Sequence, residues 1–159
     1  MGDYSYNIWN NDGERGDDYF AQMEPVLTKA PVVLIPGNHE NIDATSFLTR
    51  RFIMPNQQLG NNLFSFEFGG GGWLAFNFDL PMNLHPEKYW GYLEMFRQTL
   101  EKLRGRTNRG IAFFTHRALF CHNQFTDECN QNVVIFKPFM DMLEKYKVAL
   151  VLQAHQHFY

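Results

Sequence analysis

The sequence predicts a layered α/β fold in a single domain, and three observations carry that reading. Three short apolar runs, PVVLI (31–35), IAFFT (111–115) and VALVLQ (148–153), have the length and composition of buried strands. Helix-period segments separate the second and third runs from what precedes them. A phenylalanine-rich pair, LFSFEF and WLAFNF, flanks four glycines in the manner of a hairpin. Helices alternating with strands in this order build α/β layers.

Taken in order, residues 1–16 are polar and turn-rich. Residues 17–29 read as a helix, with Asp17 or Asp18 near its cap and Pro25 as a kink or break. PVVLI follows and ends in the turn PGNHE. Residues 41–60 are mostly loop, with a short helix expected over 45–52. Phe64, Phe66 and Phe68 alternate with Ser65 and Glu67, the period of a half-buried strand. Gly69 to Gly72 supply the turn; no helix bearing a lysine follows them, so they do not read as a phosphate loop. Residues 86–104 set Tyr89, Leu93, Phe96, Leu100 and Leu103 at helical spacing. Residues 118–131 read as a loop and 133–146 as a helix.

Composition excludes several classes. With 45% hydrophobic and 19% charged residues the chain is globular, not disordered. A formal charge of −3 without a Lys/Arg cluster argues against nucleic acid as partner. No apolar run reaches the ~20 residues needed to span a bilayer, so no membrane partner is expected. Cys121 and Cys129 form either one bridge or two thiols; no sequon and no signal-like start accompany them, which favours two thiols. Oligomeric state is not legible.

The chemistry gathers where predicted strands end. PVVLI runs into Asn38 and His39, IAFFT into His116, and VALVLQ into His155 and His157. Functional groups in layered α/β folds collect beyond the carboxyl ends of strands. The opening GDYSY adds Asp3 and Tyr6. Together these are too many ligands for one tetrahedral zinc, and they suit two metals of harder preference sharing a bridging carboxylate. Such a site serves hydrolysis. His85, His122 and Tyr4 read as ordinary surface or packing residues, Arg117 as a support of the site or a solvated charge, and Glu40 as a hydrogen-bond partner behind the ligands or an exposed loop carboxylate.

GDYSY, GNHE, FFTHR and AHQH, in this order, resemble the metallophosphoesterase motifs GDxxY, GNH[ED], xxxH and GHxH. The tyrosine, the glutamate after GNH and the ending YKVALVLQAHQHFY are similar to the purple acid phosphatases of the larger, plant-type branch. The resemblance implies a four-layer α/β/β/α sandwich, calcineurin-like, over residues 1–159. It implies a dinuclear phosphomonoester hydrolase acting on small-molecule phosphate esters. Asp3 would bridge two metals; Tyr6 and His157 would bind the first; Asn38, His116 and His155 would bind the second. His39 would orient the phosphate or protonate the leaving alkoxide. A phenolate ligand favours Fe(III) at the Tyr6 position, with Zn, Mn or Fe(II) at the other.

Two departures accompany the resemblance. The family's DxG motif and its strand do not precede GDYSY, so the expectation is a fragment, incomplete at the N-terminus and a poor enzyme alone. Ala154 stands where the family has glycine, a strained choice only if that position needs positive φ. The rivals are a metallo-phosphodiesterase or nucleotidase of the same fold, which Tyr6 disfavours, and an inactive interaction domain with idle motif residues. Secretion, or a vacuolar or lysosomal location, follows only if the natural N-terminus carries a signal peptide.

Overall fold

The structure, a computed structural model, describes residues 1–41, 46–121 and 128–157. Its elements run α1 (Glu14–Leu27), α2 (Ser46–Thr49), β1 (Leu63–Phe68), β2 (Gly71–Phe76), α3 (Tyr89–Arg104), β3 (Ile111–Phe114), α4 (Glu128–Lys145) and β4 (Leu150–Leu152). The four strands form one sheet in the order β1-β2-β3-β4. β1 and β2 are antiparallel, while β2, β3 and β4 are parallel. The parallel strands are joined through α3 and α4, so the carboxyl ends of β2, β3 and β4 share one edge.

The hairpin is tighter than its four glycines suggest. Only Gly69 and Gly70 turn, at φ 62° and 80°, and Gly71 and Gly72 already pair with Phe68 and Glu67. Two consecutive positive φ values match the right-handed twist of flanking strands. Gly72 is also a packing requirement, because a Cβ there would lie 2.7 Å from Leu103 on α3.

α3 and α4 cover one face of the sheet. α3 buries Leu93, Phe96, Leu100 and Leu103, the stripe expected from its spacing, against Leu74, Phe76 and Phe113. Phe139 of α4 packs on Phe76, Phe78, Phe96 and Tyr89 with ring centroids 4.9–5.7 Å apart. Most of these contacts are edge-to-face, the favoured geometry for aromatic quadrupoles. The other face carries Phe64, Ala75 and Phe114, packed with Ile8, Leu34, Ile35, Leu48 and Met54. This side is less fully covered: Phe68 is 76% exposed, and an apolar groove of about 460 Å³ lies between Val33, Trp73, Phe114 and Leu152. The α/β class therefore holds, with helices on one face and an extended segment plus α1 and α2 on the other.

Several boundaries differ from the sequence reading. PVVLI is extended but joins no ladder among the described residues. Its backbone bonds go to side chains instead: Ile35 N–H donates to the Tyr4 hydroxyl at 3.0 Å, that hydroxyl donates to Ile35 C=O at 2.9 Å, and Leu34 N–H points at Met54 Sδ. Tyr4 is thus a surrogate for a neighbouring strand, more than a packing residue. α1 starts at Glu14, ahead of the expected Asp17, because Gly13 enters at φ 93° without a side-chain cap; Pro25 lies in its last turn. α4 starts at Glu128, inside the expected loop 118–131. Cys121 is disulfide-bonded, against the expectation of two thiols; the early start of α4 puts position 129 in a helical turn instead of a loop. His122 lies outside the described residues.

Phe139 is fully buried at the centre of the aromatic cluster. Phe139→Ala is expected to cost about 3–5 kcal/mol of stability, a large share of a ~5–15 kcal/mol margin, read from the urea midpoint.

Candidate metal centre

The parallel topology delivers three chain segments to one edge: Asn77 to Asp79 after β2, Thr115 to Arg117 after β3, and Gln153 to His155 after β4. GDYSY and PGNHE meet them there. The anchor is Glu40, which is 0% exposed and accepts three backbone N–H donors: Asp3 at 2.7 Å, Tyr4 at 2.9 Å and Gly37 at 2.8 Å. Burial pushes its carboxyl up, and these three hydrogen bonds work in the opposite direction. Of its two sequence readings, the exposed loop carboxylate is excluded.

With both loops pinned to one carboxylate, Asp3 is held over Gly37. A Cβ on Gly37 would sit 2.5 Å from Asp3 N and 2.9 Å from His116 Cε1. A Cβ on Gly2 would be equally enclosed, 2.5 Å from His116 Nδ1, and Gly2 has φ 75°. Only glycine fits this approach. Asp3 itself adopts φ 54° and His155 φ 70°, so the left-handed backbone falls on His155 and not on Ala154, which carries no such strain.

All six expected ligands converge. Asp3 Oδ2 lies 3.3 Å from His116 Nε2 and 3.2 Å from the Tyr6 hydroxyl. His116 Nε2 is 3.0 Å from Asn38 Oδ1 and 3.0 Å from His155 Nδ1. The Tyr6 hydroxyl is 3.2 Å from His157 Nε2. Asp3 therefore touches two clusters, one with His116, Asn38 and His155, the other with Tyr6 and His157. Ligand atoms of Asp3, His116 and His155 all lie within 4.8 Å of one another. The two clusters differ in burial: His116 is 1% exposed, whereas Tyr6 is 43% exposed.

The donor balance fits cations. His116 Nδ1 faces the Met1 carbonyl at 2.9 Å, and a carbonyl only accepts, so this nitrogen carries the N–H. A neutral ring then aims a lone pair from Nε2 at Asp3 and Asn38 oxygens, which are acceptors too. Acceptors facing acceptors need a positive charge between them, either a second proton on Nε2, which then donates to Asp3, or a metal ion. For Asp3, burial raises the carboxyl, but hydrogen bonds from His116 and the His39 N–H, the latter at 3.0 Å, outweigh it and hold the pKa at about 2. The Tyr6 phenol is pushed up, by partial burial and then by the charge of Asp3, so its ionisation beside that carboxylate calls for a cation.

His39 lies at the rim, its ring 4.0 Å from that of Tyr6, with Nδ1 against Asn7 Oδ1. Three supporting residues escaped the sequence reading. Asn7 fixes His39, the Met1 carbonyl fixes His116, and Asp79 holds Arg117 by an Nε–Oδ1 bond of 2.8 Å. Asp79 had a signal, since it follows the carboxyl end of β2 as the histidines follow β3 and β4. His85 sits at the surface near Glu87, as expected, while Arg117 is buried. Glu40→Gln turns one of its acceptors into an N–H₂ facing backbone N–H donors. It is expected to lower stability by about 1–3 kcal/mol and to reduce bound metal, measured by denaturant unfolding and elemental analysis.

Similarity to known proteins agrees with this geometry. The chain is 28% identical over 172 residues to human acid phosphatase type 7, covering 100% of this chain and 39% of that protein. It is 29% identical over 185 residues to the zebrafish protein of the same name, covering 100% and 40%. It is 24% identical over 154 residues to purple acid phosphatase 23 of Arabidopsis thaliana, covering 91% and 32%. The chain thus spans about two fifths of the length of the acid phosphatases type 7 it matches. The fold matches purple acid phosphatase PPD1 from yellow lupin with a TM-score of 0.75 at 20% identity, over 98% of this chain and 29% of that one. The profile described as calcineurin-like phosphoesterase extends over residues 1–159, the same span that brings Asp3 and His157 to one edge, and the chain belongs to the calcineurin-like phosphoesterase family.

Proposed function

We propose that this chain carries the dinuclear centre of an acid-phosphatase-type phosphomonoester hydrolase. The family implies a dinuclear centre. The observation that carries the finer reading is Tyr6, whose hydroxyl meets Asp3 and His157 at 3.2 Å each. A phenol at that point makes Fe(III) the suited ion for the exposed position, with Zn, Mn or Fe(II) at the buried one. Asp3 is the shared ligand, Tyr6 and His157 complete the exposed position, and Asn38, His116 and His155 the buried one. When bound, the ions polarise the phosphate ester and activate water.

The chain's own residues do the rest. Glu40 holds Asp3 and Gly37 so that both clusters share one carboxylate oxygen. The Met1 carbonyl keeps the proton of His116 on Nδ1, leaving Nε2 for the centre. Asn7 Oδ1 accepts the Nδ1–H of His39, so Nε2 is the nitrogen left for the substrate, and with both ring nitrogens protonated it hands its proton to the leaving alkoxide. The His39 backbone N–H on Asp3 Oδ1 ties the rim to the centre at 3.0 Å. The open side at Tyr6 and His157 admits a small phosphate monoester. The −3 charge and scattered basic residues offer no track for a nucleic-acid backbone.

The test is turnover and colour. Loaded with iron and zinc, the protein is expected to hydrolyse p-nitrophenyl phosphate in preference to its bis-ester and to show a purple phenolate-to-ferric band. Tyr6→Phe should remove the band. A colourless active protein that prefers the diester would replace this reading with the phosphodiesterase one. His39→Ala is expected to lower kcat by about 10²–10⁴ for alkoxide leaving groups and far less for nitrophenolate, a difference that separates proton donation from phosphate positioning.

A further inference from the structure

Behind His155 lies a buried pair that the reaction outlined above does not use. Asp79 is 0% exposed and Arg117 9% exposed. Arg117 Nε and Nη2 both bind Asp79 Oδ1, at 2.8 and 2.7 Å, so both bonds fall on a single oxygen. Asp79 Oδ2 is buried and has no hydrogen-bond partner among the described residues. The remaining amino group of the guanidinium, Nη1, lies 2.7 Å from His155 Nε2.

That last contact has a direction. Guanidinium only donates, so His155 Nε2 accepts and offers its lone pair to Arg117. A neutral imidazole has one N–H, which then sits on Nδ1, 3.0 Å from His116 Nε2. Nδ1 is the nitrogen that faces the buried cluster. Ligation through Nδ1 needs its lone pair, and the N–H must then be on Nε2, where it meets a second donor at 2.7 Å. The proton lost at Nδ1 and the proton gained at Nε2 balance, so the ring stays neutral while its hydrogen-bonding sense reverses. The Arg117 contact and Nδ1 ligation therefore exclude each other. A metal-ligating histidine ordinarily donates its other N–H to a carboxylate, carbonyl or water. The buried oxygen left open on Asp79 gives the displaced guanidinium a partner, and a side-on fork using both oxygens is the stronger arrangement.

Resting on the two-metal reading above, we propose that Asp79 and Arg117 are positioning residues that gate cation uptake at His155. Arg117 holds the ring in the tautomer that cannot ligate. It must leave Nε2 for the second oxygen of Asp79 before the buried position fills. The guanidinium acts as an internal cation competing for that imidazole. Asn83, whose amide donates to Asp79 Oδ1 at 3.0 Å, and the Asp79 backbone N–H bound to Asn77 Oδ1 keep the carboxylate in place while the arginine moves.

Zn²⁺ titration by calorimetry tests this in a His157→Ala background, which weakens the exposed position. Arg117→Met is expected to bind Zn²⁺ about tenfold more tightly, having lost the donor conflict, where a merely structural arginine would give weaker binding. Arg117→Met/Asp79→Leu removes both partners without stranding a buried charge and is expected to show the same gain if the single variant folds poorly. Asp79→Asn keeps the arginine but weakens its landing place, and is expected to bind Zn²⁺ more weakly. His155→Ala separates the two levels of the argument. Unchanged Zn²⁺ affinity in that variant overturns the metal reading itself; a loss there, with no gain in either arginine variant, overturns only the gate. A crystal structure with Zn²⁺ on His155 Nδ1 should place Arg117 Nη1 beyond about 4 Å of Nε2, past hydrogen-bond reach, and finding it still in contact overturns the proposal.

Discussion

The buried carboxylate of Glu40 is the constraint on which the rest of the site depends. It accepts backbone N–H groups from two loops that lie 34 positions apart, Asp3 and Tyr4 on one side and Gly37 on the other (37 − 3 = 34). A carboxylate with no exposed surface is costly unless its lone pairs are filled, and here the filling comes from main chain instead of a basic side chain. Main-chain donors have no rotamers. Fixing Glu40 therefore fixes the backbone of Asp3, and Asp3 is the one described residue that touches both clusters. Gly2 and Gly37 follow from this closeness, since either side chain would push the loops apart.

The sheet contributes orientation. Parallel β2, β3 and β4 put three carboxyl ends on one edge, and helices α3 and α4 offset the cost of the connections by burying an aromatic cluster. Buried apolar clusters thus lie on both faces of the sheet, the larger under α3 and α4, and the functional edge lies at its end, so packing and chemistry draw on different residues. Arg117 is the exception, lying between the core and the site: it follows β3, is buried, and touches both Asp79 and His155.

Much of this was legible in the sequence, for identifiable reasons. α3 and β3 announced themselves because their apolar residues are the buried ones, whereas β4 was legible as an apolar run although Leu150 and Leu152 are exposed. The convergence of Asn38, His116 and His155 was legible because they follow apolar runs. PVVLI was misread as a paired strand because composition reports burial and not hydrogen-bond partners; Leu34 and Ile35 are buried, yet the partner of Ile35 is a tyrosine hydroxyl. The supports were the illegible part. Asp79 alone had a signal, in following β2; Asn7 and Glu40 are polar residues of turn-rich segments, and nothing local distinguishes a buried carboxylate with three donors from a solvated one. Only the tertiary approach of GDYSY to GNHE decides it. The disulfide at Cys121 was hidden for a like reason, since α4 begins earlier than the residue pattern implied and bridging depends on how chain segments approach in space.

The clusters draw on Asp3 and Tyr6 at one extreme of the chain and on His155 and His157 at the other. An unfolded chain holds these residues far apart and has no preformed pocket for an ion. Whatever binding free energy the pair of ions supplies is therefore added to the free energy of folding. An ion at about a hundred times its dissociation constant adds about 2.7 kcal/mol, comparable to a well-buried side chain. Ion supply thereby becomes a variable of proteostasis: starvation for the ions would raise the steady-state fraction of unfolded chain, and with it turnover of the polypeptide.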